Sequence, residues 1–270
     1  MNHPSFPASE TGRRLELALS AAREAGRITL KFFRRPGLLV ERKRDDSPVT
    51  QADREAEEHL RLRIAENFPE DAILGEELSD RPGTSGFRWI VDPIDGTKSF
   101  IHGVPLYSTL IGVEHEGESV LGVIVVPAMD EGVYAARGQG AWHFAGDQPP
   151  QPAHVSSCTK LSEGLFLTSE VANFDAINRR DVYDRLQSAA RLSRTWGDGY
   201  GYLMVATGRA ELMVDPIMCA WDAAPMVSVL EEAGGKFTDW QGRPTIHSGQ
   251  GIAANPSVWE EALAITSGTC

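Results

Sequence analysis

The apolar positions of this chain change period along its length, and each change predicts an element. Leu15, Leu19, Ala22, Ala25, Ile28 and Phe32 recur at three and four residues, the spacing of one helix face. Thr11 offers an N-cap and Pro36-Gly37 a stop, so a helix is expected from Thr11 to about Arg34. Residues before it, Met1 to Glu10, read as a loose polar leader. Leu38–Arg44 is expected as a strand whose basic end, Arg42, Lys43 and Arg44, is a solvated edge. Ala56, Leu60, Ile64 and Phe68 repeat at i+4, which predicts a core-facing helix entered at Thr50 and ended by Pro69-Glu70-Asp71. Ala72–Gly75 reads as a short buried strand, Leu78–Phe87 as a mobile loop, and Trp89-Ile90-Val91 as the end of a second buried strand.

Beyond the second strand, short strand-like runs follow one another between glycine turns. Thr109–Glu114, Ser119–Val126, Gly132–Ala136 and Ala141–Phe144 are expected as antiparallel strands, with Gly117 and Gly138-Gln139-Gly140 at the hairpins. Gly146–Ala153 carries three prolines and marks the boundary between halves 1–150 and 151–270. Strands and helices then alternate. Strands are expected at Leu165–Thr168, Arg191–Thr195, Glu211–Val214, Lys236–Thr238 and Ile252–Ala254. Helices are expected near Asn178–Ala190, Tyr200–Thr207 and Trp221–Ala233, and from Ser257 onward. An antiparallel half followed by βα alternation predicts a layered α/β (α+β) fold.

A hydrophobic content of 41% in 270 residues suffices for a real core. The net charge of −12 leaves no basic stripe to neutralise a phosphate backbone, which argues against nucleic acid as a partner. Three cysteines, Cys158, Cys219 and Cys270, show no C-x-x-C spacing, which fits a reducing compartment. No apolar run reaches 18 residues and the first ten lack an apolar signal core, so the expected location is the cytoplasm, away from any membrane.

Candidate chemistry gathers where the strands end. Trp89-Ile90-Val91 runs into Asp92-Pro93-Ile94-Asp95-Gly96-Thr97, two carboxylates three residues apart followed by a glycine. Carboxylates at the carboxyl end of a strand beside a donor-rich turn suit a hard cation and a phosphate. Pro93 restricts the backbone between the acids, and Gly96 lets the chain approach a ligand, with the Gly96 and Thr97 amides as phosphate donors. The plain alternative is an Asx-type turn. Glu76 and Asp222 also fall just after a strand or at the start of a helix. Four acids brought together would repel one another and raise their pKa values unless divalent cations bind there. Oxygen-only ligation favours Mg²⁺ or Mn²⁺ over zinc. Asp222 alone also reads as a helix N-cap, Asp53 as compensation of a helix dipole, and His102 as a surface or packing residue.

The central hexapeptide, with Gly75-Glu76-Glu77 before it and Trp221-Asp222-Ala223-Ala224 after it, resembles the inositol monophosphatase family of Mg²⁺-dependent, lithium-sensitive phosphatases. The resemblance covers nearly the whole chain and implies an alternating αβαβα sandwich, usually a homodimer. It implies that Glu76, Asp92 and the Ile94 carbonyl hold one ion, that Asp92, Asp95 and Asp222 hold a second, and that a third sits by Glu76. It also implies that Thr97, held by Asp53, orients an attacking water and that Gly96 and Thr97 carry the phosphate. In-line attack without a covalent phosphoenzyme follows from the same resemblance.

Within the family, Trp196-Gly197-Asp198 resembles the histidinol-phosphate branch, where inositol-specific members carry Gly-Ser. A carboxylate at Asp198, with Asp215 nearby, suits a substrate bearing an ammonium and an imidazole. The residues leave Asp198 open to a second role as a helix N-cap, and Trp196 and Tyr202 open to core packing. Asp215 is one carbon shorter than the family's frequent Glu. Glu170 and Val171–Asp175 are further candidates for the pocket lining. The readings in competition are histidinol-phosphate phosphatase, inositol monophosphatase, a sugar or nucleotide bisphosphate phosphatase, and a non-catalytic scaffold.

Overall fold

The computed structural model describes residues 9–43 and 46–268. Arg44 and Cys270, and the leader apart from its last two residues, lie outside the described residues. In chain order the elements are α1 (Glu10–Leu30), β1 (Val40–Arg42), β2 (Pro48–Thr50), α2 (Gln51–Asn67), β3 (Ala72–Gly75), β4 (Phe87–Asp95) and α3 (Thr97–Ile101). Then come β5 (Ser108–His115), β6 (Glu118–Val126), β7 (Glu131–Ala136), β8 (Ala141–Ala145), β9 (Gln151–Pro152) and β10 (Leu165–Leu167). The chain continues with α4 (Ala172–Ala176), α5 (Arg180–Ala189), β11 (Leu192–Arg194), α6 (Asp198–Ala206) and β12 (Leu212–Asp215). It closes with α7 (Ala220–Ala223), α8 (Met226–Glu232), β13 (Lys236–Thr238), β14 (Gly251–Ala254) and α9 (Pro256–Thr266).

Short apolar strands build the first sheet, ordered β3-β4-β5-β6-β7-β8-β9, parallel only between β3 and β4. Both faces of its middle strands are buried. Trp89, Val91, Ile111, Val123 and Val125 pack under α1 and α2, while Ile90, Leu110, Ile124 and Val126 pack against α6 and α8. Helices α6 and α8 also cover Met213, Phe237 and Ala253 of the second sheet, ordered β11-β10-β12-β14-β13. The far face of that sheet carries Phe166, Leu212, Val214 and Ile252 against α4, α5 and α9. The layers therefore run αβαβα, and the middle helical layer is common to both sheets.

Several boundaries differ from expectation for local reasons. Helix α1 begins two residues early because Ser9, not Thr11, caps it, its Oγ accepting the Gly12 N–H at 3.0 Å. It ends at Leu30, and Arg34 adopts a positive φ of 57°. The helix expected over Trp221–Ala233 is two, α7 and α8, because Pro225 supplies no N–H to continue the first. The second sheet is mixed rather than a pure βα alternation, since β14 runs antiparallel to β12 and β13. Strand β9 lies inside Gly146–Ala153 and pairs with β8, so this segment closes the first sheet. No helix among the described residues is long and apolar enough to cross a membrane.

Candidate active site

The two motif acids reach one face through a bulge. Residues three apart on a regular strand point to opposite faces. Asp92 pairs with Leu110 and Asp95 with Ser108, so two residues of β4, Pro93 and Ile94, stand against the single Thr109 of β5. The extra residue resets the alternation, and both carboxylates emerge on the side of the middle helices. The bulge is held from three directions. Asp92 Oδ1 accepts the Ile94 N–H at 3.0 Å, Thr109 Oγ1 donates to the Pro93 carbonyl at 2.9 Å, and Ser108 Oγ donates to Asp95 Oδ2 at 2.9 Å. Gly96 then turns the chain at φ 83°, and α3 starts at Thr97. The motif is therefore more than a turn.

Asp222 arrives from α7, where its Oδ2 accepts the Cys219 N–H at 2.7 Å. It thus acts as the third residue of a capping box rather than as the N-cap itself. Asp92, Asp95 and Asp222 each offer a carboxylate oxygen within 4.8 Å of the others. Burial, then the neighbouring acids, pushes Asp92 and Asp95 well above the usual carboxylate range and Asp222 up to about 7. Glu76 follows β3, and its charge is among those acting on Asp92 and Asp222. An all-oxygen set of mutually repelling, buried carboxylates fits a hard divalent cation and gives zinc no sulfur or imidazole. His102 stands exposed at the C-cap of α3 and is no part of that cluster.

Lys43 departs from its expected place on a solvated edge. Its Nζ lies 2.5 Å from Glu76 Oε1 and 2.6 Å from Glu77 Oε1. Burial opposes its charge, but the two acids raise its pKa overall. Glu77 is itself pushed up to about 7, first by burial. A run of three basic residues reads as surface because sequence carries no sign of where each side chain turns.

Thr97 also differs from the expected arrangement. Its Oγ1 donates to the Ile94 carbonyl at 3.0 Å and not to Asp53. Asp53 closes the capping box of α2, its Oδ2 accepting from the Thr50 N–H at 2.8 Å and the Thr50 hydroxyl at 2.6 Å. Its Oδ1 is buried with no partner among the described residues, and burial first pushes its pKa to about 6.

A cavity of about 480 Å³ opens on these groups. Asp95, Gly96, Thr97 and Asp222 line one side, and Ser169, Glu170, Asn173, Asp198 and Asp215 line the other. Asp198 is the first residue of α6 with φ 55°, but Gly197 is the N-cap and no side chain caps the helix. A Cβ built on Gly96 would lie 2.6 Å from Asp198 Oδ2, so this carboxylate packs directly on the motif glycine. Burial, then Asp215, pushes Asp198 to about 6.

Asp215 is retracted and saturated. Its Oδ1 accepts from Ser169 N at 2.8 Å and Thr168 Oγ1 at 3.2 Å, while its Oδ2 accepts from Ser169 Oγ and Tyr202 OH, both at 2.9 Å. Ser169 Oγ in turn accepts the Asp198 N–H at 2.9 Å. Asp215 lines the cavity, and its bonds to Ser169 make it a hub that orients Asp198. Tyr202 is buried, as core packing requires, whereas Trp196 is 42% exposed and stands outside the core. Ser169, Ser108 and Lys43 gave no signal in the sequence.

The profile of the inositol monophosphatase family matches residues 12–269. The chain belongs to that family. Among its relatives, the histidinol-phosphatase of Chlorobaculum parvum is 46% identical over 93% of this chain and 95% of its own length. The histidinol-phosphatase of Streptomyces coelicolor is 35% identical over 92% and 95%. A solved inositol monophosphatase from Zymomonas mobilis superposes with a TM-score of 0.83 at 33% identity, covering 96% of this chain and 99% of that one. As a member of the inositol monophosphatase family, the protein is a phosphoric monoester hydrolase.

Proposed function

We propose that the protein hydrolyses L-histidinol phosphate to L-histidinol and phosphate, with two to three Mg²⁺, or Mn²⁺ in their place. Glu76, Asp92, Asp95, Asp222 and the Ile94 carbonyl would hold the ions, in keeping with the all-oxygen carboxylate cluster. When bound, the ions lower the pKa of water and neutralise charge on the phosphate and the leaving oxygen. Every other step falls to side chains on the chain itself. The Thr97 hydroxyl, by donating its proton, leaves its oxygen free to accept from the attacking water. Glu76, beside the cluster, takes the proton that water loses. If the Ile94 carbonyl turns to a cation, Thr97 must find another acceptor, and the orphaned Asp53 Oδ1 is suited to that role. Ala52, next to Asp53, packs in one cluster with Ile94 and Phe100.

The observation that carries the substrate choice is the Asp198 carboxylate packed on Gly96. It would meet the carbon next to the phosphate ester, where histidinol phosphate bears its ammonium and inositol phosphate a neutral hydroxyl. Asp215 acts through Ser169 by fixing the Asp198 backbone. The relatives named histidinol-phosphatase support the same reading. Lithium inhibition, homodimer formation and a place in the cytoplasm are proposed from the family resemblance.

The test is kcat/KM with Mg²⁺ for L-histidinol phosphate and myo-inositol 1-phosphate side by side. The expected preference for histidinol phosphate is about a hundredfold, roughly 2.7 kcal/mol of transition-state discrimination. Preference for the inositol ester would leave the metal chemistry intact and overturn the substrate. No turnover of either ester at saturating metal would favour a scaffold.

A further inference from the structure

The outer rim of the pocket is bridged by an ion pair that the chemistry described above does not use. Lys98 Nζ lies 2.6 Å from Glu170 Oε2. Lys98 follows Thr97 in α3, and Glu170 follows Ser169 beyond the end of β10, so the pair joins two segments that both line the cavity. With side chains 70% and 44% exposed, it contributes little to stability as a surface ion pair. Its position is more informative. Ser169 is the residue that Asp215 fixes and that receives the Asp198 N–H. Glu170 therefore sits one residue along the chain from the group that holds Asp198, and its charge acts on Asp198. Lys98 binds Oε2, and no hydrogen bond to Oε1 is found among the described residues.

Polar groups lining the pocket follow an order of rising exposure: buried Asp95 of the cluster, then half-buried Asp198, then Glu170, whose side chain is 44% exposed. Histidinol phosphate has the same order, with phosphate at one end, ammonium on the next carbon and an imidazole at the other end. We propose that Glu170 is a specificity-determining residue that accepts an N–H of the substrate imidazole, and that Lys98 positions its carboxylate for that bond. The assignment rests on the histidinol phosphate reading given above. A charged acceptor held by a neighbouring lysine keeps its geometry without substrate, so less freedom is lost on binding.

The test compares L-histidinol phosphate with L-alaninol phosphate, which keeps the phosphate and ammonium and replaces the ring by hydrogen. In E170A, the ratio of kcat/KM for histidinol phosphate over alaninol phosphate is expected to fall about tenfold or more, mainly through KM. E170Q, which keeps a carbonyl acceptor, should lose less. If E170A weakens both esters by the same factor, Glu170 only shapes the pocket and the assignment is overturned. Wild-type enzyme assayed with myo-inositol 1-phosphate separates the two failures. No preference for histidinol phosphate sinks both the substrate and the assignment, whereas a preference retained with an unchanged ratio in E170A sinks the assignment alone.

Discussion

Asp198→Asn should stabilise the metal-free protein while impairing its proposed substrate choice. The Asp198 carboxyl stands at about 6 in the folded chain, against a usual value of 3.8, because burial and then Asp215 disfavour its charge. A folded pKa above the unfolded one means that the ionised group opposes folding. The penalty is absent below pH 3.8, grows as pH rises, and is complete above pH 6. Its full size is the difference of about two pKa units, or about 3 kcal/mol. By linkage, roughly half of this persists at pH 5. The neutral isostere removes it, so the melting temperature in EDTA at pH 8 should rise by about 5 °C, with a smaller rise at pH 5. Over the same substitution, kcat/KM for L-histidinol phosphate should fall about a hundredfold, the scale of a lost buried charge partner, and far less for myo-inositol 1-phosphate. Thermal unfolding at the two pH values and a paired kinetic assay read both effects. A lower melting temperature at pH 8, or equal losses on both esters, would refute the electrostatic reading of Asp198.

The other perturbations address the cluster and its supports. Asp95→Asn should cut turnover about a thousandfold or more while leaving the circular dichroism spectrum intact, since removing a site charge costs catalysis rather than core packing; near-normal turnover would exclude Asp95 as a ligand. Gly96→Ala places a Cβ in the left-handed region, at φ 83° and 2.6 Å from Asp198 Oδ2. It should cost about 1–2 kcal/mol in urea unfolding and displace Asp198, so an unchanged substrate preference would argue against their contact. Lys43→Met removes the cation that pairs with Glu76 and Glu77. The metal-free protein should melt lower, while half-saturation by Mg²⁺ should need about threefold to tenfold less metal, because a competing positive charge is gone. A higher Mg²⁺ requirement would show that Lys43 organises Glu76 for the ion.

The elements whose side chains report on their own neighbours were legible. Trp89 through Val91 and the strands within Thr109 through Val126 read as apolar runs because each strand is buried on both faces, and the helix at Gln51–Asn67 announces itself through the entry at Thr50 and its i+4 apolar row. The meeting of Asp92, Asp95 and Asp222 was legible because carboxylates at successive element ends have few other uses. What sequence concealed depends on partners distant along the chain. Asp215 gives no sign in the sequence of the bonds it accepts from Thr168, Ser169 and Tyr202. Lys43 looks solvated until the chain after β1 brings it to Glu76, 33 residues away. Pro225 sits inside an apolar run, so the break it makes between α7 and α8 does not stand out in the sequence.

The bulge shows how closely the fold and the chemistry depend on each other. Without the extra residue between Asp92 and Asp95, one of the two acids would face α1 and α2, among Trp89, Val91 and Ile111. An uncompensated carboxylate there would be destabilising and useless to a ligand. With it, both acids meet Asp222 from α7, and Asp95 also accepts the Gly199 N–H of α6. Repulsion is the consequence, and it is relieved unequally. Lys43 neutralises the Glu76–Glu77 side from within the chain, whereas no ion pair from a Lys, Arg or His reaches Asp92, Asp95, Asp198 or Asp222 among the described residues. On the proposed function, the unpaired side would take its positive charge from outside, from cations at the cluster and from the substrate ammonium at Asp198. On this reading, the same unbalanced acids that weaken the empty fold give the site its affinity for both.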